Sequence, residues 1–343
     1  MKALVLKEYN RFAYEEVPAP EPGEGDLLVA VKACGICGSD VHGMDGSTGR
    51  RIPPIIMGHE ASGVIAGLGP KTAGWKAGER VTFDSTIYCG ECRYCRRGLV
   101  NLCDRRRVIG VSCPEYRRDG AFAEFVVVPQ HIVYRVPDAI SFAQAAMVEA
   151  VSIAVHAMDR TPLRLNDTAV VVGAGMIGLL VVQVLRAAGA GKILAVDVSE
   201  KNLELAKKLG ADEGLRANAP DLPDRVRSLT SGRGADLAFE VVGVSDSIKT
   251  AVRCLRKGGS ATLVGNISPL VELPLQETVT RQISLIGTCA SAGEYPACLD
   301  LIAAGRVNVD ALISAVAPLA EGANWFDRLY RKEPGLMKVI LQP

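Results

Sequence analysis

Ala169-Val-Val-Val-Gly173-Ala-Gly175-Met-Ile-Gly178 joins an apolar run to a glycine pattern, and this stretch decides the fold of the second half of the chain. In such a pattern the first glycine permits a tight turn and the second lets the backbone approach a pyrophosphate. The third lets a helix pack closely on a strand. The N–H groups at the start of that helix then face the phosphates at the favourable end of the helix dipole. The stretch therefore predicts a strand, a phosphate-binding turn and a helix.

Strand and helix patterns alternate along the chain after this stretch. Further strands are predicted at 192–196, 236–242, 260–264 and 282–287, and helices at 177–188 and 200–209. Another helix is expected to stop at the Gly258-Gly259 pair, as in a left-handed C-cap. Because buried parallel strands are continuous apolar runs, the pattern predicts an α/β domain with a doubly wound parallel sheet, the Rossmann fold.

Asp197 ends the second predicted strand, 24 residues after Gly173. Its carboxylate can accept hydrogen bonds from the adenosine ribose and would repel a 2′-phosphate, which favours NAD over NADP. The alternative is a nucleotide-free α/β domain in which Asp197 only caps a helix. The residues predicted to bind the cofactor are Gly173, Gly175, Met176, Ile177, Gly178, Asp197, Asn202, Val242, Val264 and Thr288.

The first 150 or so residues have a different pattern, in which short apolar strands are separated by Gly and Pro. Strands are predicted at 27–33, 61–68, 80–83, 121–128 and 132–136. Short strands with frequent turn signals indicate a β-barrel or sandwich. The tail after about Thr288 has two helical stretches and a final strand, too few for a core of its own, so we expect it to pack on a domain already formed.

Composition excludes several classes of function. The chain has 343 residues, 48% hydrophobic and 22% charged, with a formal net charge of +1. This length exceeds one domain of about 150 residues. The near-zero charge argues against nucleic-acid binding. We find neither a signal peptide nor an apolar run of about 18 residues. The expectation is a cytoplasmic globular protein without a membrane or nucleic-acid partner.

Four of the ten cysteines form a compact group with the spacing Cys89-x2-Cys92-x2-Cys95-x7-Cys103. Four thiolates this close in sequence can complete a tetrahedron around zinc without distant ligands, as a structural zinc site requires. Arginines surround the group, so the competing interpretation is a nucleic-acid-binding zinc knuckle. We favour structural zinc, with the arginines offsetting an anionic cluster.

Two further segments complete a family pattern. They are Cys34-Gly-Ile-Cys37-Gly-Ser39-Asp-Val-His42 and Gly58-His59-Glu60. Together with the cysteine lobe and the glycine motif, they resemble the zinc-dependent medium-chain dehydrogenases, in particular the polyol branch of sorbitol and galactitol-1-phosphate dehydrogenases. The resemblance implies a GroES-like β-barrel catalytic domain over 1–153 with the zinc lobe at 89–103. It also implies a Rossmann NAD-binding domain over 154–288, a return to the catalytic domain over 289–343, and a substrate cleft between the two domains.

The resemblance implies a catalytic zinc bound by Cys37, His59 and Glu149. Other alcohol dehydrogenases have a cysteine where this chain has Glu149, whereas the polyol branch has a glutamate, which binds the metal directly or holds its water. Glu60 either enters the coordination sphere or orients neighbouring groups. Zinc with an open position lowers the pKa of a bound alcohol, and hydride then passes to the nicotinamide.

The proton lost from the alcohol needs a route to solvent. The resemblance implies that Ser39 contacts the reacting oxygen and that His42 passes the proton out through the nicotinamide ribose. The alternative for His42 is an ordinary surface histidine. Cys34 is interpreted as a buried thiol and not as a ligand.

The implied activity is NAD-dependent oxidation of a secondary hydroxyl of a polyol, sugar or sugar-alcohol phosphate to a ketone, with two zinc ions per chain. The alternatives are a broad secondary-alcohol or diol dehydrogenase and a non-catalytic relative that only binds NAD(H). Because relatives are dimers or tetramers, a homodimer or homotetramer is expected.

The chain departs from sorbitol dehydrogenase at three places in the substrate pocket. Gly43 replaces a tyrosine, and Ala290-Ser291 replaces an Arg-Tyr pair. The segment 112–118 is also unusual, and its Arg117 and Arg118 are candidates for binding a phosphate or carboxylate of the substrate. The identity of the polyol therefore stays open.

Overall fold

The structure is a computed structural model that describes residues 1–113 and 116–343. The chain divides into two compact units. The first contains Met1–Ala150, Ser291–Ala303 and Val309–Pro343, and the second contains Val151–Ala290 and Ala304–Asn308. Among the described residues, no helix is both long and apolar enough to span a bilayer.

The strands, in chain order, are β1 Lys2–Glu8, β2 Arg11–Glu16, β3 Asp26–Gly35, β4 Ile55–Ile56, β5 Glu60–Leu68, β6 Arg80–Phe83, β7 Thr86–Ile87, β8 Arg107–Val108, β9 Val111–Cys113, β10 Tyr116–Arg118, β11 Phe125–Pro129, β12 Val133–Arg135, β13 Thr168–Val172, β14 Lys192–Asp197, β15 Glu213–Arg216, β16 Ala235–Glu240, β17 Leu255–Leu263, β18 Ser284–Gly287, β19 Ile313–Pro318 and β20 Lys338–Gln342.

The α-helices are α1 Gly38–Val41, α2 Phe142–Ala146, α3 Val148–Arg160, α4 Met176–Ala187, α5 Glu200–Lys208, α6 Leu222–Leu229, α7 Ser245–Cys254, α8 Leu275–Thr280, α9 Tyr295–Ala303 and α10 Gly322–Tyr330. Short 3-10 helices lie at Cys95–Arg97, Val100–Leu102, Gln130–Ile132, Asp310–Leu312 and Leu319–Glu321.

The first unit is built on a mixed sheet with β3 at its centre. The order is β12-β6-β5-β3-β20-β19, and β11 also pairs with β3. Leu27, Val29 and Val31 alternate along β3 and are buried in the core of this unit, as expected of a strand with one apolar face. The last strand, β20, pairs antiparallel with the end of β3, which places tail residues beside the Cys34–Cys37 segment.

The second unit contains a six-stranded sheet in the order β15-β14-β13-β16-β17-β18. All five strand pairs are parallel. Counted within this unit the order is 3-2-1-4-5-6, the doubly wound arrangement that binds dinucleotides where the order reverses, at the first strand. The predicted α/β fold class is confirmed, and the reversal falls at β13, directly before the glycine pattern.

One sequence prediction for the second unit, the end of a helix, is wrong. The helix expected to stop at Gly258-Gly259 ends at Cys254, and Gly258 lies inside β17. The reason is tertiary pairing: Leu255 already pairs with Ala235 of β16, and the register shifts before the regular ladder resumes at Ser260. Gly258 has φ of +70°, so the glycine serves this irregular strand and not a helix cap.

Candidate metal and cofactor sites

Cys37 is placed by the turn that joins β3 to α1. It is the N-cap of this four-residue helix. Its Sγ accepts hydrogen bonds from the backbone N–H of Ser39 at 3.4 Å and from the Ser39 hydroxyl at 3.3 Å. Two donors thus hold the sulfur in one position at the start of α1.

The structure brings Cys37 together with His59 and Glu60. One ligand atom from each of these residues lies within 4.8 Å of the other two. His59 and Glu60 are buried and Cys37 is partly exposed. A thiolate, an imidazole and a carboxylate are a donor set for a catalytic zinc, with one position left for substrate. The three predicted residues therefore form one group that fits a zinc ion.

Asp40 and Arg51 lie behind His59. The Oδ2 atom of Asp40 is 3.3 Å from His59 Nδ1, and its Oδ1 accepts hydrogen bonds from Arg51 Nη2 at 2.7 Å and Nε at 3.1 Å. Burial would raise the pKa of Asp40, but the charges of His59 and Arg51 hold it well below its usual value. Burial likewise lowers the pKa of His59, yet Asp40 and Cys37 leave it well above the usual value. The negative charges of Asp40 and Cys37 thus favour a cation beside His59, a charge that a bound metal ion would supply.

Glu60 is held by a lysine from the far end of the chain. Lys338 is buried, donates to Glu60 Oε2 and donates to the carbonyl of Ile36 at 3.0 Å. Burial lowers the pKa of Lys338, but the negative charges of Glu60 and Cys37 raise it by a larger amount, so the net shift is upward. Glu60 Oε1 is buried without a hydrogen-bond partner, so one carboxylate oxygen is available to a metal or its water.

Glu149, the third ligand implied by the resemblance, is the second residue of α3 and is partly exposed. It does not belong to the group of mutually close ligand atoms. Loss of hydration raises the pKa of Glu149 to about 7, with the positive charge of His59 opposing the shift and the charge of Glu60 adding to it. The charges of His59 and Glu60 therefore act on Glu149. The carboxylate within 4.8 Å of the Cys37 and His59 ligand atoms, however, is that of Glu60.

Arg51 also explains the departure at Gly43. A Cβ at position 43 would lie 2.6 Å from Arg51 Cγ and 2.9 Å from the carbonyl oxygen of Ser39. The same guanidinium lies 3.4 Å from the Ser39 hydroxyl. A side chain at position 43 would therefore require Arg51 and the Ser39 carbonyl to move. Ser39 and His42 are both exposed, and their role in proton transfer stays a prediction.

The cysteine lobe has the geometry of a tetrahedral zinc site. The sulfurs of Cys89 and Cys103, and those of Cys92 and Cys95, are 3.5 Å apart, and Cys89 and Cys95 are 3.9 Å apart. Zn–S bonds of about 2.3 Å give tetrahedral S···S separations of roughly 3.8 Å. Backbone N–H bonds lower the pKa of Cys89 to about 6, whereas burial raises that of Cys95 to about 12. The four side chains fit a structural zinc.

The glycine motif forms the predicted strand–turn–helix. Gly173 follows β13 with φ of +100°, and Gly175 is the N-cap of α4. A Cβ on Gly178 would collide with the Gly173 carbonyl, whereas one on Gly175 would meet nothing within 4 Å. The third glycine therefore permits close packing, and the second leaves its backbone open to a phosphate.

Asp197 ends β14 and faces this turn. Its Oδ2 accepts the Ala174 N–H at 2.7 Å, and its Oδ1 accepts the Ser199 N–H at 2.8 Å. The N-cap of α5 is Ser199, whose hydroxyl accepts the N–H of Asn202. Asp197 is thus not a plain helix cap, and its carboxylate lies beside the glycine turn.

The remaining predicted cofactor residues lie at the start of α4 and after the ends of three other strands. Met176 and Ile177 begin α4, and Val242, Val264 and Thr288 follow β16, β17 and β18. Thr288 Oγ1 is buried without a hydrogen-bond partner. An orphaned hydroxyl at the carboxyl edge of a parallel sheet is what a bound dinucleotide would satisfy.

Of the two arginines of the 112–118 segment, Arg118 has other partners within the first unit. Arg118 donates to the Val127 carbonyl at 3.1 Å and lies 3.8 Å from Asp26. Arg117 and Arg118 both line a groove of about 730 Å³ within the first unit. Residues 114 and 115 of the segment lie outside the described part of the chain. A role for these arginines in substrate binding stays a prediction.

Sequence reasoning missed Arg51 and Lys338. A charged residue at the start of an otherwise apolar final strand was the one available signal for Lys338, since charge is seldom fully buried without a partner. Nothing local pointed to Arg51, because its role depends on contacts with Asp40 and Ser39 that only the fold creates.

Two family profiles match the chain. The profile for the alcohol dehydrogenase GroES-like domain matches residues 23–138, and that for zinc-binding dehydrogenase matches residues 177–304. Sorbitol dehydrogenase of Bacillus subtilis (strain 168) is 31% identical over 348 residues, with 100% of this chain and 97% of that protein covered. D-arabitol-phosphate dehydrogenase of Enterococcus avium is 32% identical, with 97% and 94% covered.

A solved structure gives the same result for the fold. It is a protein of Sinorhizobium meliloti 1021, described as a zinc-binding dehydrogenase and bound to NADP, and it superposes with a TM-score of 0.89 at 31% identity. The match covers 100% of this chain and 99% of that one.

Proposed function

The chain belongs to the zinc-binding dehydrogenases with an alcohol dehydrogenase GroES-like domain, and from this premise we propose that it oxidises a secondary hydroxyl of a polyol, sugar or sugar-alcohol phosphate to a ketone. As a member of that family it is an oxidoreductase that uses zinc and a nicotinamide cofactor. The observation that carries the proposal is the convergence of Cys37, His59 and Glu60 within 4.8 Å. A protein that only binds NAD(H) has no need of this group.

We propose that Cys37 and His59 hold the catalytic zinc, with Glu60 or Glu149 as the third ligand or as the partner of a zinc-bound water. Bound zinc supplies Lewis acidity, which lowers the pKa of an alcohol, and NAD+ supplies the hydride acceptor. Asp40 faces His59 Nδ1 at 3.3 Å, which leaves Nε2 for the metal and orients the ring. Lys338 keeps Glu60 in place through Oε2.

We propose that side chains near Cys37 transfer the proton of the substrate hydroxyl to solvent. The Ser39 hydroxyl is exposed and lies between Cys37 Sγ at 3.3 Å and Arg51 Nη2 at 3.4 Å. In the proposed relay its hydrogen turns from Cys37 Sγ towards His42, and Ser39 takes the proton of the substrate hydroxyl as it gives its own proton to His42. His42 is exposed one helical turn later and carries the proton to solvent.

NAD is the proposed cofactor, in preference to NADP. The support is the Asp197 carboxylate beside the Ala174 N–H, since a carboxylate at this place repels a 2′-phosphate. The relative from Sinorhizobium meliloti was solved with NADP, so the preference must be tested on this chain. The test is to compare the dissociation constants of NADH and NADPH.

The substrate class is best tested by NADH formation with a panel of polyols, polyol phosphates, diols and simple secondary alcohols. The proposal expects the highest kcat/KM among the polyols or their phosphates. The names of the relatives, a sorbitol and an arabitol-phosphate dehydrogenase, support this class. A clear preference for simple alcohols or diols would favour the broad dehydrogenase, and no turnover by zinc-loaded protein would favour a non-catalytic relative.

We also propose a homodimer or homotetramer. The support is an apolar segment that precedes the edge strand β18 in the chain, in which Ile267, Leu270, Leu275 and Val279 are 63% to 88% exposed. Exposed apolar groups in one segment are typical of an interface. Light scattering should give a mass of two or four chains, and Leu270→Glu should reduce it. A wild-type monomer at micromolar concentration would contradict the proposal.

A further inference from the structure

Glu240 is the last residue of β16, and its side chain bends back onto the chain that follows. The residue is fully buried. Its Oε1 accepts the backbone N–H groups of Val242 and Gly243, both at 2.8 Å. Its own carbonyl accepts the N–H groups of Val264 and Gly265, at 2.8 and 3.0 Å. One residue thus binds four N–H groups beyond the ends of two adjacent strands.

The two segments held in this way are in direct contact. Gly243 has φ of +86°, and a Cβ on it would lie 2.5 Å from the carbonyl carbon of Gly265. A Cβ on Gly265 would in turn lie 2.5 Å from the N atom of Val242. Only glycines allow this approach. The ends of β16 and β17 therefore have a single close-packed arrangement, with Glu240 at its centre.

This arrangement reaches the phosphate-binding turn through Val242. A Cβ on Gly173 would lie 2.6 Å from Val242 Cγ2, so that side chain packs on the first glycine of the motif. Val242 and Val264 are also two of the residues predicted to contact the cofactor. Any shift of Glu240 would move both valines relative to Gly173.

We propose that Glu240 is a positioning residue for the nicotinamide half of the cofactor. We assign Glu240 to the nicotinamide half because of the strand order. Asp197 ends β14 on one side of β13, whereas β16 and β17 lie on the other. A dinucleotide crosses the sheet at this point with its adenosine on the Asp197 side, which leaves the nicotinamide half to the side that Glu240 organises. The inference rests on the proposed roles of Val242 and Val264.

The test uses three variants of the full-length, zinc-loaded protein. Glu240→Gln keeps an acceptor oxygen at Oε1. Glu240→Met has similar length but no acceptor. The matched control is Thr262→Val, which removes the buried hydroxyl contact of 2.6 Å between Thr262 and Thr161 on β17 without touching the four N–H bonds. The measurements are the dissociation constants of NADH and AMP, the melting temperature and the zinc content.

The expected result for Glu240→Met is a dissociation constant for NADH raised at least about tenfold, with AMP bound as by the wild type because it needs only the Asp197 side. Glu240→Gln should bind NADH within about threefold of the wild type. Thr262→Val should melt at a lower temperature with both dissociation constants unchanged. This pattern separates positioning from a general loss of stability.

Wild-type NADH affinity in Glu240→Met would overturn the inference, and so would an equal weakening of NADH and AMP. If Glu240→Met does not fold, Glu240→Asp takes its place, because an acceptor one methylene shorter falls short of both N–H groups. NADH affinity in Glu240→Asp equal to that of Glu240→Gln would then overturn it. A wild-type protein that binds neither NADH nor AMP would contradict the proposed function itself.

Discussion

The Nδ1 atom of His59 lies 3.3 Å from the Oδ2 atom of Asp40, and both side chains are buried. The contact gives the imidazole a fixed orientation, because the other oxygen of Asp40 is held by two nitrogens of Arg51. A histidine held in this way presents its second ring nitrogen in one direction. In proteins that bind zinc through histidine, such a carboxylate raises the basicity of the ligand.

The first prediction concerns this carboxylate. Asp40→Asn keeps the size of the side chain but removes the charge that faces His59 and Arg51. We expect catalytic zinc to be bound about 10- to 100-fold more weakly, and stability to fall by about 3–5 kcal/mol because Arg51 stays buried and unpaired. Zinc content after dialysis against a chelator measures the first effect, and the lobe zinc is the internal reference. Asp45→Asn, at a carboxylate bound to Tyr330, is the control. Full retention of both ions by Asp40→Asn would contradict the prediction.

The second prediction separates the two cysteines of the Cys34–Cys37 segment. Cys37→Ser should lose turnover and one of two zinc ions while NADH still binds, since Cys37 belongs to the metal group. Cys34→Ala should retain both ions and most of the turnover, because the Cys34 thiol is buried in the core and burial holds its pKa well above the usual value. Metal analysis together with steady-state kinetics checks both. Loss of zinc from Cys34→Ala with none from Cys37→Ser would reverse the assignment.

The third prediction concerns pH and Asp84. This carboxylate is buried, with the Ser291 hydroxyl at 3.1 Å and the Thr86 N–H at 2.8 Å. Burial raises its pKa to about 6, above the value of about 3.9 in an unfolded chain. The folded state therefore binds this proton more tightly, and the stability it contributes at low pH is lost as the pH rises from about 4 to about 6.

Asp84→Asn removes the free-energy cost of ionising a buried carboxylate. An amide can still accept from Thr86 and donate to Ser291, so the variant should be more stable than the wild type above pH 6 by about 1–3 kcal/mol. Near pH 4 the difference should vanish. Chemical unfolding of the zinc-loaded proteins at several pH values measures it. A variant whose stability follows the wild type at every pH would show that the burial of Asp84 carries no such cost.

The fourth prediction concerns the choice of cofactor. Asp197→Ala removes the carboxylate that would repel a 2′-phosphate, and the preference for NADH over NADPH should fall at least about tenfold. Ser199→Ala is the matched control: it removes the N-cap of α5, costs about 1 kcal/mol of stability and should leave the preference unchanged. The ratio of the two dissociation constants is the measurement. An unchanged ratio in Asp197→Ala would exclude this residue as the determinant.

The parts of the molecule that could be predicted from sequence are those with local causes. β13, the glycine turn and α4 follow from a continuous apolar run and three spaced glycines, and the structure has all three within a residue or so of the prediction. The cysteine lobe is equally local, since its four sulfurs come from fifteen residues.

The parts that could not be predicted depend on distant partners. Lys338 reaches Glu60 across 278 positions, and no periodicity reports such a contact. Glu60 illustrates a second limit. The resemblance leaves it either in the coordination sphere or orienting neighbouring groups, and only the fold shows that one of its carboxylate oxygens lies within 4.8 Å of the ligand atoms of Cys37 and His59.

Whether Cys37 and His59 bind zinc can be seen in an anomalous difference map at the zinc edge, measured on crystals of the purified protein. We expect two peaks per chain, one among the four lobe cysteines and one between Cys37, His59 and a carboxylate of Glu60 or Glu149. A single peak in the lobe, with the Cys37 and His59 side chains free of metal, would contradict it.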